Sequence, residues 1–188
     1  WSDEVKLIFN LSRLTENQTE GYFNIYKNGY VDPSGIVKGW AIFNAAQELS
    51  NLGYNNFYIE AGGDIEARGL NKLKKKWQIG IRNPFNLNEV IKIVELTNMA
   101  VATSGTYIRG THIYNPHKNN HEVKEIKSIS VIGPNIYEAD RFATAAFVMG
   151  EKGINFIEKL AGFEGYMIDN NKKATLTSGF NTYVAKNT

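Results

Sequence analysis

Two glycine-containing turns on either side of one predicted helix are the feature that most constrains this fold. The first, in residues 31–41, contains Asp32-Pro33-Ser34-Gly35 ahead of Lys38-Gly39, and the second, in residues 60–69, contains Gly62-Gly63-Asp64. Between them, apolar residues at helical spacing predict a helix over residues 38–52. Glycines let backbone N–H groups approach an anion closely, and a helix N-terminus favours negative charge. The pair of turns therefore predicts a phosphate-binding surface.

The rest of the chain alternates between strand and helix patterns. Further helices are predicted over residues 3–15, 138–149 and 152–160, and strands over residues 57–60, 65–67, 77–81, 90–96, 99–103, 126–132, 166–168 and 174–177. Residues 110–124 are polar and predict a surface loop. Strands with interspersed helices predict an α+β fold, a mixed and largely antiparallel sheet with packed helices, as one domain over residues 1–188.

The composition excludes several classes of function but does not identify one. The net charge is only +2, so nucleic-acid binding is not indicated, and the lysines of residues 72–76 are interpreted as a solvated hairpin tip. There are no cysteines, which excludes disulfides, thiolate catalysis and cysteine-type zinc sites. The absence of cysteines leaves the compartment open, and no apolar run approaches the roughly 18 residues of a membrane span. The chain starts at Trp1 without a methionine, so we expect it to be incomplete at its N-terminus.

Several polar residues are candidates for chemistry. Asp140 and Thr144 are four apart on a predicted helix and share a face; a carboxylate with a hydroxyl suits Mg²⁺, although a helix cap is the commoner role of such an aspartate. Thr103, Ser104 and Gly105 offer hydroxyls and a backbone N–H for phosphate. Ser104 has no evident His-Asp partner in the sequence, so it is not predicted to be a nucleophile. His112 is either a surface histidine or a site residue.

The order of these motifs resembles the ApbE family, the FAD:protein FMN transferases. Residues 32–41 resemble the family's Asp-x-x-Gly-[Ile/Leu]-x-Lys-Gly-[Tyr/Trp]-Ala segment, and Gly62-Gly63-Asp64 resembles its Gly-Gly-Asp turn. Residues 103–107 and 112–116 resemble its Thr-Ser-Gly-x-Tyr and His-Ile-x-Asp-Pro motifs. Residues 139–150 resemble its Ala-Asp-x-x-Ala-Thr-Ala helix. The matches run from about residue 19 to residue 179.

The resemblance implies an activity and a set of site residues. The enzyme would use Mg²⁺ to cleave FAD, move FMN onto a Thr or Ser of an acceptor flavoprotein, such as a subunit of a membrane redox complex, and release AMP. It implies metal ligation by Asp140, Thr144 and the Gly35 carbonyl, and it implies that Asp140 and His112 are catalytic residues. It also implies that FAD contacts the following residues: Asp32, Ser34, Lys38, Gly62, Gly63, Asp64, Thr103, Ser104 and Gly105. The fold implied is related to the T-fold, and the location is extracytoplasmic and membrane-associated.

This sequence also departs from the family pattern at one loop. Asn115 stands in place of the family's aspartate, residues 117–119 replace its Arg-Thr-Gly, and the spacing from Tyr107 to His112 is short. Such changes are expected to lower activity or to alter the substrate accepted. They favour an alternative, a non-catalytic domain that binds FAD or a partner. A further alternative, in which water replaces the acceptor, is a pyrophosphatase that converts FAD to FMN and AMP.

Overall fold

The structure is a computed structural model that describes residues 1–27, 29–106, 114–118 and 121–186. The helices are α1 (Asp3–Gln18), α2 (Ser34–Asn51), α3 (Ile136–Val148) and α4 (Gly153–Glu158). The strands are β1 (Tyr26–Lys27), β2 (Tyr30–Val31), β3 (Phe57–Ala61), β4 (Asp64–Arg68), β5 (Trp77–Asn83), β6 (Asn86–Leu96), β7 (Met99–Gly105), β8 (Tyr114–Asn115), β9 (His121–Glu122), β10 (Ile126–Gly133), β11 (Glu164–Asp169) and β12 (Ala174–Leu176).

Six strands form the central sheet in the order β12-β11-β10-β7-β4-β3, and every neighbouring pair is antiparallel. Helices α2, α3 and α4 cover one face, while the β5–β6 hairpin covers the other. The alternation along β7 shows how one strand serves both layers, because Ala100 and Ala102 pack towards the helices and Val101 packs towards the hairpin. The predicted α+β fold, with its largely antiparallel sheet, is confirmed.

Helix α3 is the central helix of the fold, and almost all of its residues are buried. Its contact face is built from small residues, such as Ala139 and Ala143, so the helix lies close to the sheet. Arg141 is buried too, and it donates a hydrogen bond to Thr15 Oγ1 at 3.2 Å, which joins α3 to α1. A charged residue inside the helix layer is tolerated because it has such partners.

The boundaries of several elements differ from the sequence predictions for local reasons. Helix α2 begins at Ser34 rather than Lys38, because the Asp32 carboxylate accepts a hydrogen bond from Ser34 N at 3.0 Å and the turn continues directly into the helix. Helix α3 begins at Ile136, where the Asn135 side chain accepts from Glu138 N at 2.9 Å. The predicted surface loop over residues 110–124 contains two short strands, β8 and β9, which pair with each other.

No helix in the described ranges has the length and apolar character needed to cross a membrane.

Candidate functional site

Three elements bring together a buried cluster of one lysine and two aspartates. Lys38 comes from the first turns of α2, Asp64 begins β4, and Asp140 lies one turn into α3. The Lys38 ammonium is 2.5 Å from Asp64 Oδ2 and 3.5 Å from Asp140 Oδ1. Asp64 has no exposed surface and Asp140 is 4% exposed. Residues from three separate stretches of the sequence thus meet in one place that is almost closed to water.

Backbone N–H groups hold the two carboxylates in place. Gly39 N donates to Asp140 Oδ2 at 2.9 Å, and Thr103 N donates to Asp64 Oδ1 at 3.1 Å. Asp64 Oδ2 accepts no well-aligned hydrogen bond from the part of the chain that the structure describes, so its compensation is the charge of Lys38. Each carboxylate therefore has one fixed amide donor and shares one ammonium.

Gly39 permits the close approach of α2 and α3 that makes this cluster possible. A Cβ atom at Gly39 would lie 2.7 Å from Asp140 Cβ and 2.8 Å from Ile136 O. No side chain fits at such distances without a shift of one helix, because the second contact is with backbone. The Lys38-Gly39 pair in the sequence therefore has two separate roles, a charge and a close contact.

The charges of the cluster do not balance when both aspartates are ionised. Burial, together with the nearby Asp64 carboxylate, raises the pKa of Asp140 to about 7, although the Lys38 ammonium opposes the rise. Burial likewise raises the pKa of Asp64, again opposed by Lys38. Two carboxylates and one ammonium leave one negative charge, so the cluster favours binding either one proton or a cation.

A second group of oxygens lies where α2 meets α3. Thr144 Oγ1 donates to Gly35 O at 3.4 Å, a long hydrogen bond, and a Cβ at Gly35 would meet Thr144 Cγ2 at 3.0 Å. Thr144 is one helical turn after Asp140 and shares its face of α3. A carbonyl, a hydroxyl and a carboxylate are hard oxygen donors of the kind that Mg²⁺ prefers, so the residues fit this ion chemically. Within the described ranges there is no cluster of three or more His, Asp or Glu side chains that could hold a metal.

The glycine turn between β3 and β4 is a two-residue hairpin loop. Gly62 and Gly63 both have positive φ angles, 62° and 89°, and Ala61 pairs directly with Asp64. Two consecutive positive φ angles are what a type I′ turn requires, which explains both glycines without reference to a ligand. A Cβ at Gly63 would meet nothing within 4 Å, so the turn also leaves open space beside the backbone.

A cavity of about 710 Å³ lies on the opposite face of the sheet, beneath the β5–β6 hairpin. Gly62, Gly63 and Thr103 line it, together with the aromatic side chains of Tyr58 and Trp77. Its size is typical of small-molecule sites. The predicted site residues are therefore divided by the sheet. The helix side holds Lys38, Asp64, Asp140, Gly35 and Thr144, and the hairpin side holds Gly62, Gly63 and Thr103.

The remaining predicted residues have simpler positions. Asp32 stabilises the start of α2, Ser34 is exposed there, and Ser104 and Gly105 end β7, with Ser104 buried. Thr103 Oγ1 is 2.7 Å from Ser130 Oγ on the neighbouring strand β10. His112 and Tyr107 lie outside the described residues. Glu66 is not among the residues predicted from the sequence, although it lies two residues after Asp64 and therefore shares its face of β4.

The departure at Asn115 has a structural explanation. Asn115 is buried, its Nδ2 donates to Val148 O at 3.1 Å, and its Oδ1 accepts from His117 N at 2.9 Å. His117 Nε2 in turn is 2.9 Å from Glu20 O, just after α1. An ionised aspartate has no donor to offer Val148 O, so an amide fits this position better than a carboxylate does.

This geometry defines the class of protein. It is a layered α+β domain in which two helices and one sheet share a buried lysine–aspartate cluster. The ApbE family model matches residues 3–167, and the chain belongs to the ApbE family. It is 36% identical over 141 residues to the FAD:protein FMN transferase of Haemophilus influenzae, covering 69% of this chain and 41% of that relative. It is 35% identical over 132 residues to the protein of the same name from Vibrio cholerae, covering 65% and 40%. The aligned part thus spans about two fifths of each relative's own length.

Solved structures share the fold over nearly the whole chain. The flavin transferase ApbE from Vibrio cholerae matches with a TM-score of 0.83 at 24% identity, covering 97% of this chain and 77% of that one. The ApbE protein from Thermotoga maritima matches with a TM-score of 0.88 at 21% identity, covering 99% and 79%. At these identities the likeness concerns the fold.

Proposed function

We propose that this chain provides the metal-binding and FAD-binding residues of a Mg²⁺-dependent flavin transferase. FMN is moved from FAD onto a Thr or Ser hydroxyl of an acceptor protein, and AMP is released. The observation that carries the proposal is the buried Lys38–Asp64–Asp140 cluster, which has one excess negative charge when both aspartates are ionised and lies beside the oxygens of Gly35 and Thr144. The name FAD:protein FMN transferase, borne by relatives of this chain, supports the reaction class.

Asp140, Thr144 and the Gly35 carbonyl are the proposed ligands of Mg²⁺. When bound, the ion would stabilise the charge that develops on the diphosphate as its bond breaks. Asp140 is held for this role by Gly39 N, which fixes one carboxylate oxygen and leaves the other facing Lys38 at a distance longer than a hydrogen bond. Thr144 and Gly35 make only one long hydrogen bond to each other, so little is lost when both turn to a cation.

Lys38 is proposed to hold the two aspartates together as well as to attract the substrate. Its ammonium lies between the carboxylates and its side chain is 22% exposed, so part of it reaches the surface. Contact between Lys38 and the diphosphate stays a prediction. In this interpretation the main role of the Lys38 ammonium is to offset the cost of burying a second carboxylate, that of Asp64, beside Asp140.

FAD is proposed to bind across the start of α2 and the Gly62–Gly63 turn. Asp32 and Ser34 lie at the first of these places, and Thr103, Ser104 and Gly105 lie on the strand beside the second. The cavity that Gly62, Gly63 and Thr103 line offers Tyr58 and Trp77 to a planar ring of the substrate. His112 is retained as a candidate catalytic residue.

The acceptor is proposed to be a separate flavoprotein, such as a subunit of a membrane redox complex, which places the reaction at the outer side of the cytoplasmic membrane. The word protein in the relatives' name supports a protein acceptor. The kind of acceptor and the compartment are proposed from the family resemblance alone.

The direct test is to incubate the chain with FAD and MgCl₂, with and without a Thr-containing acceptor peptide. Chromatography then detects FMN and AMP, and mass spectrometry detects the flavinylated peptide. The Asp140→Asn variant is the matched control, because the amide keeps the shape and still accepts from Gly39 N. Free FMN and AMP without peptide modification would favour the pyrophosphatase. A bound but intact FAD would favour the non-catalytic domain.

A further inference from the structure

Strand β4 presents two buried carboxylates to helix α3. Asp64 and Glu66 are two residues apart, so their side chains lie on the same face of the strand, and neither has any exposed surface. Asp64 reaches the cluster with Lys38 and Asp140. Glu66 lies further along the strand and reaches the first residue of α3.

The Glu66 carboxylate joins the helix N-terminus to the strand. Its Oε2 accepts a hydrogen bond from Ile136 N at 2.7 Å, and its Oε1 lies 2.8 Å from Arg68 Nε. Ile136 N is one of the N–H groups that a helix leaves without an intrahelical partner. A negative charge at this end of a helix is also favoured by the helix dipole. The Glu66 carboxylate therefore stabilises the start of α3 in two ways, through a hydrogen bond to Ile136 N and through the helix dipole.

The spacing of the two contacts is similar on both elements. Ile136 and Asp140 are four residues apart, about 6 Å along the helix axis. Asp64 and Glu66 are two residues apart on a strand, about 7 Å. Gly39 packs against the other side of the same turn, at Ile136 O and Asp140 Cβ. A shift of α3 along its axis would thus break the Glu66 contact and move Asp140 away from Gly39 N.

We propose that Glu66 is a positioning residue for the metal site, which sets the axial position of α3 so that Asp140 meets Gly39 N and Thr144 meets Gly35. The metal part of this inference rests on the proposed function, while the positioning of Asp140 does not. Filling the interior would be achieved at lower cost by an apolar side chain, because burial penalises a carboxylate. A carboxylate at this point is explained by the donor that it fixes.

Hydrogen exchange in the metal-free protein tests the positioning. Glu66→Met removes the acceptor and keeps the length of the side chain, and Glu66→Gln keeps an acceptor for Ile136 N. Val94→Ala, in the fully buried part of β6 away from α3, is the control for a general loss of stability. The global loss of stability in Glu66→Met will itself lower the protection of the Gly39 amide against exchange. We expect the measured protection to fall at least about tenfold further than this, because local opening of the α2–α3 contact becomes easier. Glu66→Gln should stay within about twofold of the wild type.

Protection of Gly39 that follows global stability alike in Glu66→Met and Val94→Ala would overturn the inference. Should Glu66→Met not fold, native-state exchange of the wild type decides. Ile136 and Gly39 amides that open together, with one dependence on denaturant, support the inference. Opening of Gly39 while Ile136 stays protected overturns it.

A Mg²⁺ titration of FAD turnover, run separately, tests the metal part. The half-saturating Mg²⁺ concentration should rise about tenfold in Glu66→Met, as for other residues that orient metal ligands, with little change at saturating Mg²⁺. An unchanged half-saturating concentration in that variant would overturn the metal part. A wild type with no Mg²⁺ response would instead refute the proposed function, and the exchange result would still decide the positioning of Asp140.

Discussion

Substitution of Asp140 by asparagine should change how the stability of the metal-free protein depends on pH. Burial, with Asp64 nearby, raises the pKa of Asp140 from 3.8 to about 7 in the folded state. Between these two values the folded protein binds more protons at this group than the unfolded chain does. Stability is therefore greatest when Asp140 is protonated, and it falls as the pH rises from about 4 towards 7.

The size of the effect follows from the same pKa. The full rise in pKa corresponds to a loss of about 4 kcal/mol in the free energy of unfolding. About 3 kcal/mol of this loss occurs between pH 5 and pH 8. The asparagine side chain of the variant resembles the protonated carboxyl in shape and accepts from Gly39 N, but it does not titrate. We therefore expect the free energy of unfolding of the variant, relative to the wild type, to increase by about 3 kcal/mol between pH 5 and pH 8.

Urea denaturation in EDTA at pH 5, 6, 7 and 8, followed by tryptophan fluorescence, measures this difference. Adding MgCl₂ at pH 8 should stabilise the wild type and leave Asp140→Asn unchanged, because the ion replaces the missing proton. Parallel profiles for the two proteins would refute the reasoning. So would a wild type whose stability rises over this pH range while the variant stays flat.

Three further substitutions test other contacts of the site. Lys38→Met leaves two buried carboxylates without their ammonium, so urea denaturation at pH 8 should show a loss of about 3–5 kcal/mol, with a smaller loss at pH 5.5 where Asp140 is protonated; equal losses at both pH values would contradict the shared charge. Gly39→Ala forces α2 and α3 apart and should cost about 1–3 kcal/mol in thermal unfolding, whereas the exposed Ser34→Ala should cost well under 1 kcal/mol. Asn115→Asp removes the donor to Val148 O and should destabilise by about 1–3 kcal/mol at pH 7; a neutral result would show that Asn115 is replaceable by the family's usual residue.

Local patterns in the sequence were sufficient for most of the fold. The Gly62-Gly63 turn and the apolar spacing of α2 each depend on neighbouring residues, and both elements are present. Helix starts were less accessible. The start of α2 depends on whether Asp32 accepts from Ser34 N, which the sequence pattern does not show.

The site was predictable as a set of residues but not as an arrangement. The family motifs bring Lys38, Asp64 and Asp140 to attention, yet no spacing in the sequence says that one ammonium contacts both carboxylates. The division of the predicted residues between two faces of the sheet follows from the orientation of each strand residue. Glu66 was not predicted because its partner is the backbone N–H of a residue seventy positions later. Almost every residue has such a donor, so the sequence does not indicate which one a carboxylate contacts.

Helix α3 is held at both of its ends, and this limits where the site can adapt. Glu66 and the Asn135 cap fix its beginning, and Asn115 bonds the carbonyl of Val148 at its end. Helix α2 begins at Ser34, where the Pro33 cap offers no side-chain hydrogen bond and the Asp32 carboxylate accepts from the amide of the exposed Ser34. The cluster is thus bordered by one helix that side chains hold at both ends and by another whose first turn has the Asp32 contact. We expect any rearrangement on ligand binding to occur in the first turn of α2, while Asp140 and Thr144 keep their positions on α3.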